Sequence, residues 1–314
     1  MDVSALVEGL RSGDRRTVAR MISLVEDASI ETLGEVMRQI GGMTSHAYTI
    51  GVTGSPGVGK STLTGALVSE LRKRDRTVSV LAIDPTSHIT GGALLGDRLR
   101  MQEHATDPGV FIRSMATRGH LGGLAWAAPH ALRILDAAGV DTILVETVGV
   151  GQDEVEISAQ ADTTIVALAP GMGDSVQANK AGILEIADVY VVNKADREGA
   201  KQVVRDIQQM LELGAHGEWL PPVLMTTATD GTGVDEVLNA VDRHREYMDS
   251  SGEARRRRLA RAAGEIREIV IGRMRAAIGT VKDSDLLAAL AEQVVEHELD
   301  PYAAADKLLA EVDA

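Results

Sequence analysis

One short stretch has the residue types and spacing of a phosphate-binding loop. Residues 54–61 read Gly-Ser-Pro-Gly-Val-Gly-Lys-Ser and match the pattern G-x-x-x-x-G-K-[ST] at every fixed position. Glycines let the backbone wrap a phosphate, and the helix that follows adds the partial positive charge of its N-terminus. In such a loop Lys60 contacts the β- and γ-phosphates, and the Ser61 hydroxyl binds Mg²⁺. The predicted nucleotide contacts are Gly54, Ser55, Pro56, Gly57, Val58, Gly59, Lys60, Ser61 and Thr62.

A second motif, Asn-Lys-Ala-Asp at residues 193–196, follows an apolar run and has the chemistry of guanine selection. The Asp196 carboxylate can accept hydrogen bonds from N1 and N2 of guanine, whereas adenine offers an acceptor at N1 and has no 2-amino group. The wrong base would leave a buried charge unpaired, so such a site discriminates strongly. The Lys194 stem can cover the face of the base, and the Ala228 amide would meet guanine O6. The predicted base contacts are Asn193, Lys194, Asp196, Thr227 and Ala228.

Three acidic residues are candidates for work at the γ-phosphate. Asp84 and Glu146 end predicted strands, and Asp97 lies in a glycine-rich loop. Carboxylates at this edge of a sheet can hold Mg²⁺, directly or through water, or orient the attacking water, although each can also cap a turn or a helix. The sequence does not divide these roles. We therefore predict Lys60 and all three carboxylates as catalytic candidates, and the same carboxylates with Ser61 as metal ligands.

The stretch Glu-Thr-Val-Gly at residues 146–149 takes the place of a D-x-x-G motif, with glutamate for aspartate. In this position the Gly149 amide would sense the γ-phosphate. Val150 follows where Ras-like proteins carry a glutamine that orients water. Hydrolysis must then use another arrangement, and we expect slow turnover of the isolated protein.

Short apolar runs alternate with helical patterns between residues 46 and 248, which indicates an α/β domain with a parallel sheet. Most runs lack strict alternation, as expected when both faces of the sheet carry helices. This pattern, with the phosphate loop, predicts a P-loop NTPase fold with a mostly parallel central sheet flanked by helices. The predicted strands are Tyr48–Thr53, Val78–Asp84, Val110–Ser114, Thr142–Glu146, Thr164–Ala169, Val189–Asn193 and Val223–Thr227.

Helical extensions are predicted on both sides of this domain. Residues 1–45 form the first, and residues 249–314 form a C-terminal arm with helices over 252–278, 284–298 and 301–313. The arm holds no recognisable catalytic cluster. Its run of arginines at 255–258 points around the whole helix, which favours a solvated face or a partner contact over nucleic-acid binding.

Composition excludes several classes of function. The 314 residues carry a formal net charge of −14 and only 2% aromatics, so neither nucleic acid nor an anionic membrane is an expected partner. There is no cysteine, which excludes disulfides and thiol chemistry. The N-terminus lacks the pattern of a signal peptide, and no apolar stretch is long enough to span a bilayer. We therefore expect a cytoplasmic protein.

The motifs together resemble one family, the methylmalonyl-CoA mutase-associated GTPases of the MeaB/ArgK type. The resemblance implies a GTP-hydrolysing chaperone of an adenosylcobalamin-dependent acyl-CoA mutase, which gates cofactor delivery from an adenosyltransferase and release of damaged cofactor. It also implies GTP or GDP with Mg²⁺, and a homodimer joined through the C-terminal arm. The stretches that carry it are residues 54–62, 84–87, 146–152, 170–174 and 193–196.

The resemblance further implies a third switch loop, at about residues 170–180, that couples mutase binding to hydrolysis. Lys180 matches the family's lysine that moves toward the nucleotide, and is a catalytic candidate on that ground. The residues alone would indicate only a mobile glycine-containing loop after a strand and a solvated lysine.

Three alternative functions stay open at this point. A metal-delivery GTPase for urease or hydrogenase would use cysteine and histidine, but this chain has no cysteine and eight scattered histidines. A kinase linked to amino-acid transport would have to accept ATP, against which Asp196 argues. A nucleotide-gated scaffold with negligible hydrolysis would differ in its response to a partner. Which acyl-CoA mutase is the client is also open.

Overall fold

The computed structural model describes residues 3–43, 47–85, 104, 106–117, 123–147, 159–171, 184–213, 218–282 and 285–312. In these residues seven strands form one sheet in the order β3-β2-β4-β1-β5-β6-β7, and every pairing between them is parallel. The predicted parallel α/β architecture is therefore confirmed. The strands are β1 (Tyr48–Thr53), β2 (Val78–Pro85), β3 (Val110–Thr117), β4 (Thr142–Thr147), β5 (Thr163–Leu168), β6 (Val189–Asn193) and β7 (Val223–Thr226).

Helices precede, flank and follow this sheet, as the sequence predicts. The first three come before β1, four others lie between strands or after β7, and the last three form the C-terminal arm. They are α1 (Val3–Arg11), α2 (Arg15–Asp27), α3 (Ile30–Ile40), α4 (Lys60–Lys73), α5 (Gly123–Ala137), α6 (Ala200–Leu213), α7 (Val234–Ser250), α8 (Glu253–Lys282), α9 (Asp285–Val295) and α10 (Pro301–Val312).

The sheet buries both faces, which explains the continuous apolar runs of its strands. Helices α4 and α7 cover one face and pack on side chains such as Val52 and Leu144. Helices α1, α2, α3 and α5 cover part of the other face and pack on Ile143 and Val145. Helix α6 covers the β6 side of that second face. The N-terminal helices are thus part of the core, and Arg113 of β3 pairs with Glu26 of α2 at 3.0 Å.

The last strand ends one residue before the predicted bound. Thr227 leaves the parallel ladder and forms an isolated antiparallel bridge with Thr232, whose carbonyl accepts from the Thr227 amide at 3.0 Å. The chain therefore turns sharply at the point where the sequence places a base contact.

Helix α8 of the arm is attached to the amino-terminal edge of the sheet by two charge pairs. Arg257 donates to both carboxylate oxygens of Asp188, at 3.2 and 2.9 Å, and Arg261 donates to Asp162 at 2.6 Å. The same carboxylates accept strand amides, from Thr164 at 2.8 Å and Thr49 at 3.0 Å. The arginine run is therefore partly an intramolecular anchor, which the prediction of a solvated or partner-binding face did not foresee.

A buried polar chain lies behind the Asp188 pair. The Tyr48 hydroxyl contacts the Thr163 hydroxyl at 2.6 Å, and that hydroxyl contacts His244 Nδ1 at 2.7 Å. His244 Nε2 lies 3.3 Å from Asp188. Burial by itself raises the pKa of the Asp188 carboxyl, but the adjacent His244 ring and the hydrogen bonds and charge of Arg257 outweigh burial and hold that pKa below its ordinary value.

We expect the substitution Asp188→Asn to lower the free energy of unfolding by about 2 kcal/mol at pH 7, less than for a fully buried pair because a third of the Arg257 side chain is exposed. A carboxyl with a lowered native pKa stabilises the fold above its unfolded pKa and loses that contribution as pH falls. As pH is lowered from 7, the difference in unfolding free energy between wild type and variant should therefore stay constant at first. It should become smaller once pH falls below about 4.

Urea unfolding across this pH range measures the difference. The matched control is Asp242→Asn, whose pairs with Arg74 and Arg76 should contribute far less, because the Asp242 side chain is 32% exposed whereas that of Asp188 is 8% exposed. Equal losses in the two variants would contradict the anchoring role of Asp188.

Candidate nucleotide-binding site

The phosphate loop joins the end of β1 to the start of α4, as the sequence predicts. All three of its glycines have positive φ, of 138° at Gly54, 81° at Gly57 and 95° at Gly59. A Cβ on Gly54 would lie 2.1 Å from the Ala167 carbonyl oxygen, and one on Gly59 would lie 2.6 Å from Asn193 Nδ2. Only glycine fits these two positions, because both the backbone conformation and the neighbouring atoms exclude a side chain.

The Lys60 ammonium is held against the loop that precedes it. Lys60 Nζ donates to the carbonyl of Gly54 at 2.6 Å and to that of Ser55 at 3.2 Å, and the side chain is nearly buried. These two carbonyls aim the positive charge across the loop, beside the N-terminus of α4. The arrangement concentrates backbone N–H groups, a helix end and one cation, which is an environment for an anion such as a phosphate.

Ser61 and Glu146 meet although they are far apart in sequence. The Ser61 hydroxyl donates to Glu146 Oε1 at 2.6 Å, and Glu146 is 4% exposed. A hydroxyl and a carboxylate are the hard oxygen donors that Mg²⁺ prefers, and here they lie close enough for one cation to contact both. The two residues therefore fit the predicted metal site, with Thr62 following in the first turn of α4.

Of the other four residues predicted near the γ-phosphate, one is among the described residues. Asp84 lies at the carboxyl end of β2, where its backbone pairs with Ala116 of β3. Asp97, Gly149 and Lys180 lie outside the described residues. The roles predicted for these four residues remain predictions.

Asn193 braces the base motif against the phosphate loop. Its Nδ2 donates to the Val58 carbonyl at 2.9 Å, and its Oδ1 accepts from the Thr226 hydroxyl at 3.2 Å and the Ala228 amide at 3.1 Å. Asn193 is 2% exposed, so all three bonds are shielded from water. One side chain thus fixes three segments that the sequence separates widely.

Lys194 adds a second connection between the two motifs. It has a positive φ of 57°, and its Nζ donates to the Gly57 carbonyl at 2.6 Å. The lysine stem therefore spans from the base motif to the phosphate loop, where it can cover a planar base as predicted. Asp196 is exposed at the end of the same turn, with its carboxylate available to a ligand from solvent.

The predicted partner of guanine O6 is engaged elsewhere in this structure. The Ala228 amide donates to Asn193, so contact with O6 would require that hydrogen to be shared or the turn to rotate. Thr227 is half-buried and its amide is used by the bridge to Thr232. The sequence interpretation also missed the bracing role of Asn193; the signal available was its position as the first polar residue after an apolar strand.

Comparison with known proteins identifies the family. The model of the family described as Methylmalonyl Co-A mutase-associated GTPase MeaB matches residues 18–283. This chain belongs to that family. The resemblance inferred from the motifs is therefore confirmed, and the protein is a P-loop GTPase.

Individual relatives agree. A protein of Pyrococcus abyssi named as a GTPase is 47% identical over 99% of this chain and 97% of its own length. GTPase ArgK of Escherichia coli is 36% identical over 78% of this chain and 77% of its own. The methylmalonic aciduria type A homolog of Caenorhabditis elegans, a mitochondrial protein, is 35% identical over 82% of this chain and 69% of its own.

A solved structure supports the fold. The crystal structure of a LAO/AO transport system kinase superposes with a TM-score of 0.68, covering 99% of this chain and 98% of the other, at 24% identity. Within the part of the chain that the structure describes, no helix has the length and apolar character needed to cross a membrane.

We expect the substitution Asp196→Asn to weaken GTP binding strongly and to favour xanthosine nucleotides, because an amide can donate to the 2-oxo group of xanthine where a carboxylate accepts from guanine. Competition between labelled GDP and GTP, XTP or ATP measures the preference. Glu198→Gln, which changes an exposed acidic residue of the same loop, is the control. Unchanged GTP affinity in Asp196→Asn would refute the guanine-reading role.

Proposed function

We propose that this GTPase is a chaperone of an adenosylcobalamin-dependent acyl-CoA mutase, with methylmalonyl-CoA mutase as the first candidate client. It would gate cofactor delivery from an adenosyltransferase and the release of damaged cofactor, in the cytoplasm and without nucleic acid or membrane as partner. The observation that carries the proposal is the match of residues 18–283 to a family described by its association with that mutase. The name of the Caenorhabditis elegans relative, which refers to methylmalonic aciduria, supports the same direction.

In this proposal the residues that would use GTP have separate tasks. The loop of residues 54–59 and the start of α4 would bind the phosphates, and Lys60 would neutralise charge that develops on the leaving and transferred groups. Ser61 and Glu146 would hold Mg²⁺, which when bound would supply positive charge that neutralises the phosphates. Asn193 and Lys194 would hold the base turn in place so that Asp196 can read guanine.

One alternative retains a specific point in its favour. The structural similarity to a LAO/AO transport system kinase agrees with a nucleotide-dependent kinase, but at 24% identity that similarity concerns the fold alone. The Asn-Lys-Ala-Asp turn, braced by Asn193 and Lys194, supports guanine rather than adenine as the base. GTP-dependent regulation of a partner is therefore the better supported function.

The deciding experiment is GTP hydrolysis by the purified protein, alone and with an adenosylcobalamin-dependent methylmalonyl-CoA mutase from the same source. We expect slow turnover alone and a sharp acceleration with the mutase, and no comparable turnover of ATP. Lys180→Ala should keep nucleotide binding and slow turnover but lose the acceleration. A hydrolysis rate that does not change with the mutase would leave the GTPase activity established and reject this client. If Lys180→Ala lost the basal rate as much as the stimulated rate, a role of Lys180 limited to the complex would be rejected.

We further propose that the C-terminal arm joins two copies of the chain. Four large apolar side chains on α8, each at least half exposed, lie along one side of the helix at spacings of seven, four and four residues. A stripe of this kind on a long helix is typical of a helix–helix interface. The members are Leu259, Ile266, Val270 and Met274, with exposures of 57%, 63%, 50% and 61%.

We expect Ile266→Glu together with Val270→Glu to convert a dimer into a monomer, because a carboxylate cannot be buried unpaired at the centre of an interface. Sedimentation velocity over a range of concentrations measures the change in mass. Leu213→Glu at the end of α6, which is 90% exposed and lies outside the arm, is the matched control and should leave the dimer intact. Monomeric wild type, or a dimer in the double variant, would contradict the proposed interface.

A further inference from the structure

Two buried threonines face each other where the strand that leads into the phosphate loop runs beside the strand of Glu146. The last residue pair of the β1–β4 ladder is Val52 opposite Glu146, so the next position on each strand is Thr53 and Thr147. The Thr147 hydroxyl donates to the Thr53 hydroxyl at 3.0 Å, and the two residues are 1% and 0% exposed. This bond extends the connection between the two strands one step beyond the main-chain pairs.

The end of β4 is held from both faces of the sheet. Successive side chains of a strand point to opposite faces, and Val145 packs with the N-terminal helices. Glu146 accordingly points to the α4 face, where it accepts from Ser61 at 2.6 Å. Thr147 points to the other face, where it meets Thr53. The carboxylate that fits the metal site is therefore fixed by its hydrogen bond with Ser61 and by the bond that the next residue forms with Thr53.

We infer that Thr147, braced by Thr53, is a positioning residue for GTP hydrolysis, whose hydroxyl bond fixes the end of β4 so that the Glu146 carboxylate stays against Ser61. The inference rests on the GTPase activity of the family and on the metal-binding role proposed for Ser61 and Glu146, and it does not depend on the mutase client. Loss of this hydroxyl leaves the Thr53 oxygen buried without that donor. Small displacements of a catalytic group reduce turnover more than ground-state affinity, because binding is spread over the whole nucleotide site.

The test compares Thr147→Val, Thr53→Val, the double variant and Thr147→Ser in single-turnover GTP hydrolysis by the protein alone. Each valine variant should lower the rate by about fivefold, the order expected for one buried neutral hydrogen bond, and should raise the Mg²⁺ concentration needed for half-maximal rate. The KM for GTP, measured at saturating Mg²⁺, should not change. The Kd for GDP, measured without Mg²⁺, should not change either. The double variant should be no slower than either single variant, because both remove the same bond. Thr147→Ser keeps the hydroxyl and should restore the rate.

Thr64→Val on α4 is the matched control. Thr64 is also 0% exposed, and its hydroxyl has no hydrogen-bond partner among the described residues, so its loss should leave hydrolysis at the wild-type rate. Thermal unfolding of every variant separates loss of fold from loss of position. The inference would be overturned by any of three results: wild-type rates in the two valine variants, additive losses in the double variant, or slow hydrolysis by Thr147→Ser. Wild type that binds GTP and does not hydrolyse it would overturn it as well, whereas absence of stimulation by a mutase would bear only on the proposed function.

Discussion

The parallel alignment of β1 between β4 and β5 is the constraint on which the nucleotide site depends. Because all three strands run the same way, their carboxyl ends meet at one edge of the sheet, and the chain segments that follow them begin there. The register of the ladder decides which residues lie side by side. Val52 lies opposite Glu146, so α4, which starts a few residues after β1, places Ser61 next to that carboxylate. No covalent or metal crosslink is needed for this arrangement, since the ladder is buried on both faces and cannot slip without exposing its apolar side chains.

At the opposite edge of the sheet, charged side chains pair with the free amides of the strands. Amino-terminal strand ends present unpaired amides, and Asp162 and Asp188 accept two of them. The buried Asp188 and the partly buried Asp162 would be costly as unpaired charges, and arginines from α8 offset that cost while attaching the arm. The same two carboxylates therefore accept the strand amides and attach the arm. For this reason a substitution at Asp188 should lower stability more than the loss of a surface salt bridge would.

Much of this molecule could be predicted from local sequence. Apolar runs predicted the strand bounds to within one residue, except that β3 continues three residues beyond its predicted end at Ser114. This agreement follows because a strand buried on both faces must be apolar. The glycine-rich and Asn-Lys-Ala-Asp motifs predicted where phosphate and base would be recognised. Contacts between distant segments could not be read in the same way. The triple brace of Asn193, the Thr53–Thr147 bond and the pairing of Asp188 with Arg257 all depend on strand order and register, which no short window of sequence contains. The early end of β7 has a similar cause, since Thr227 is drawn out of the ladder by Thr232.

The position of the arm's anchor has a mechanical consequence. Arg257 and Arg261 lie near the start of a helix of 30 residues, and the next charge pair to the body, Glu265 with Arg133, is only one turn further on. At 1.5 Å per residue, Met274 lies about 25 Å beyond Arg257 along the axis. A tilt of about ten degrees at the anchor would thus carry that end through about 4 Å, roughly the distance between neighbouring side chains on a helix. A tilt at this anchor would therefore be enlarged toward the far end of α8, where the helix also packs against α3.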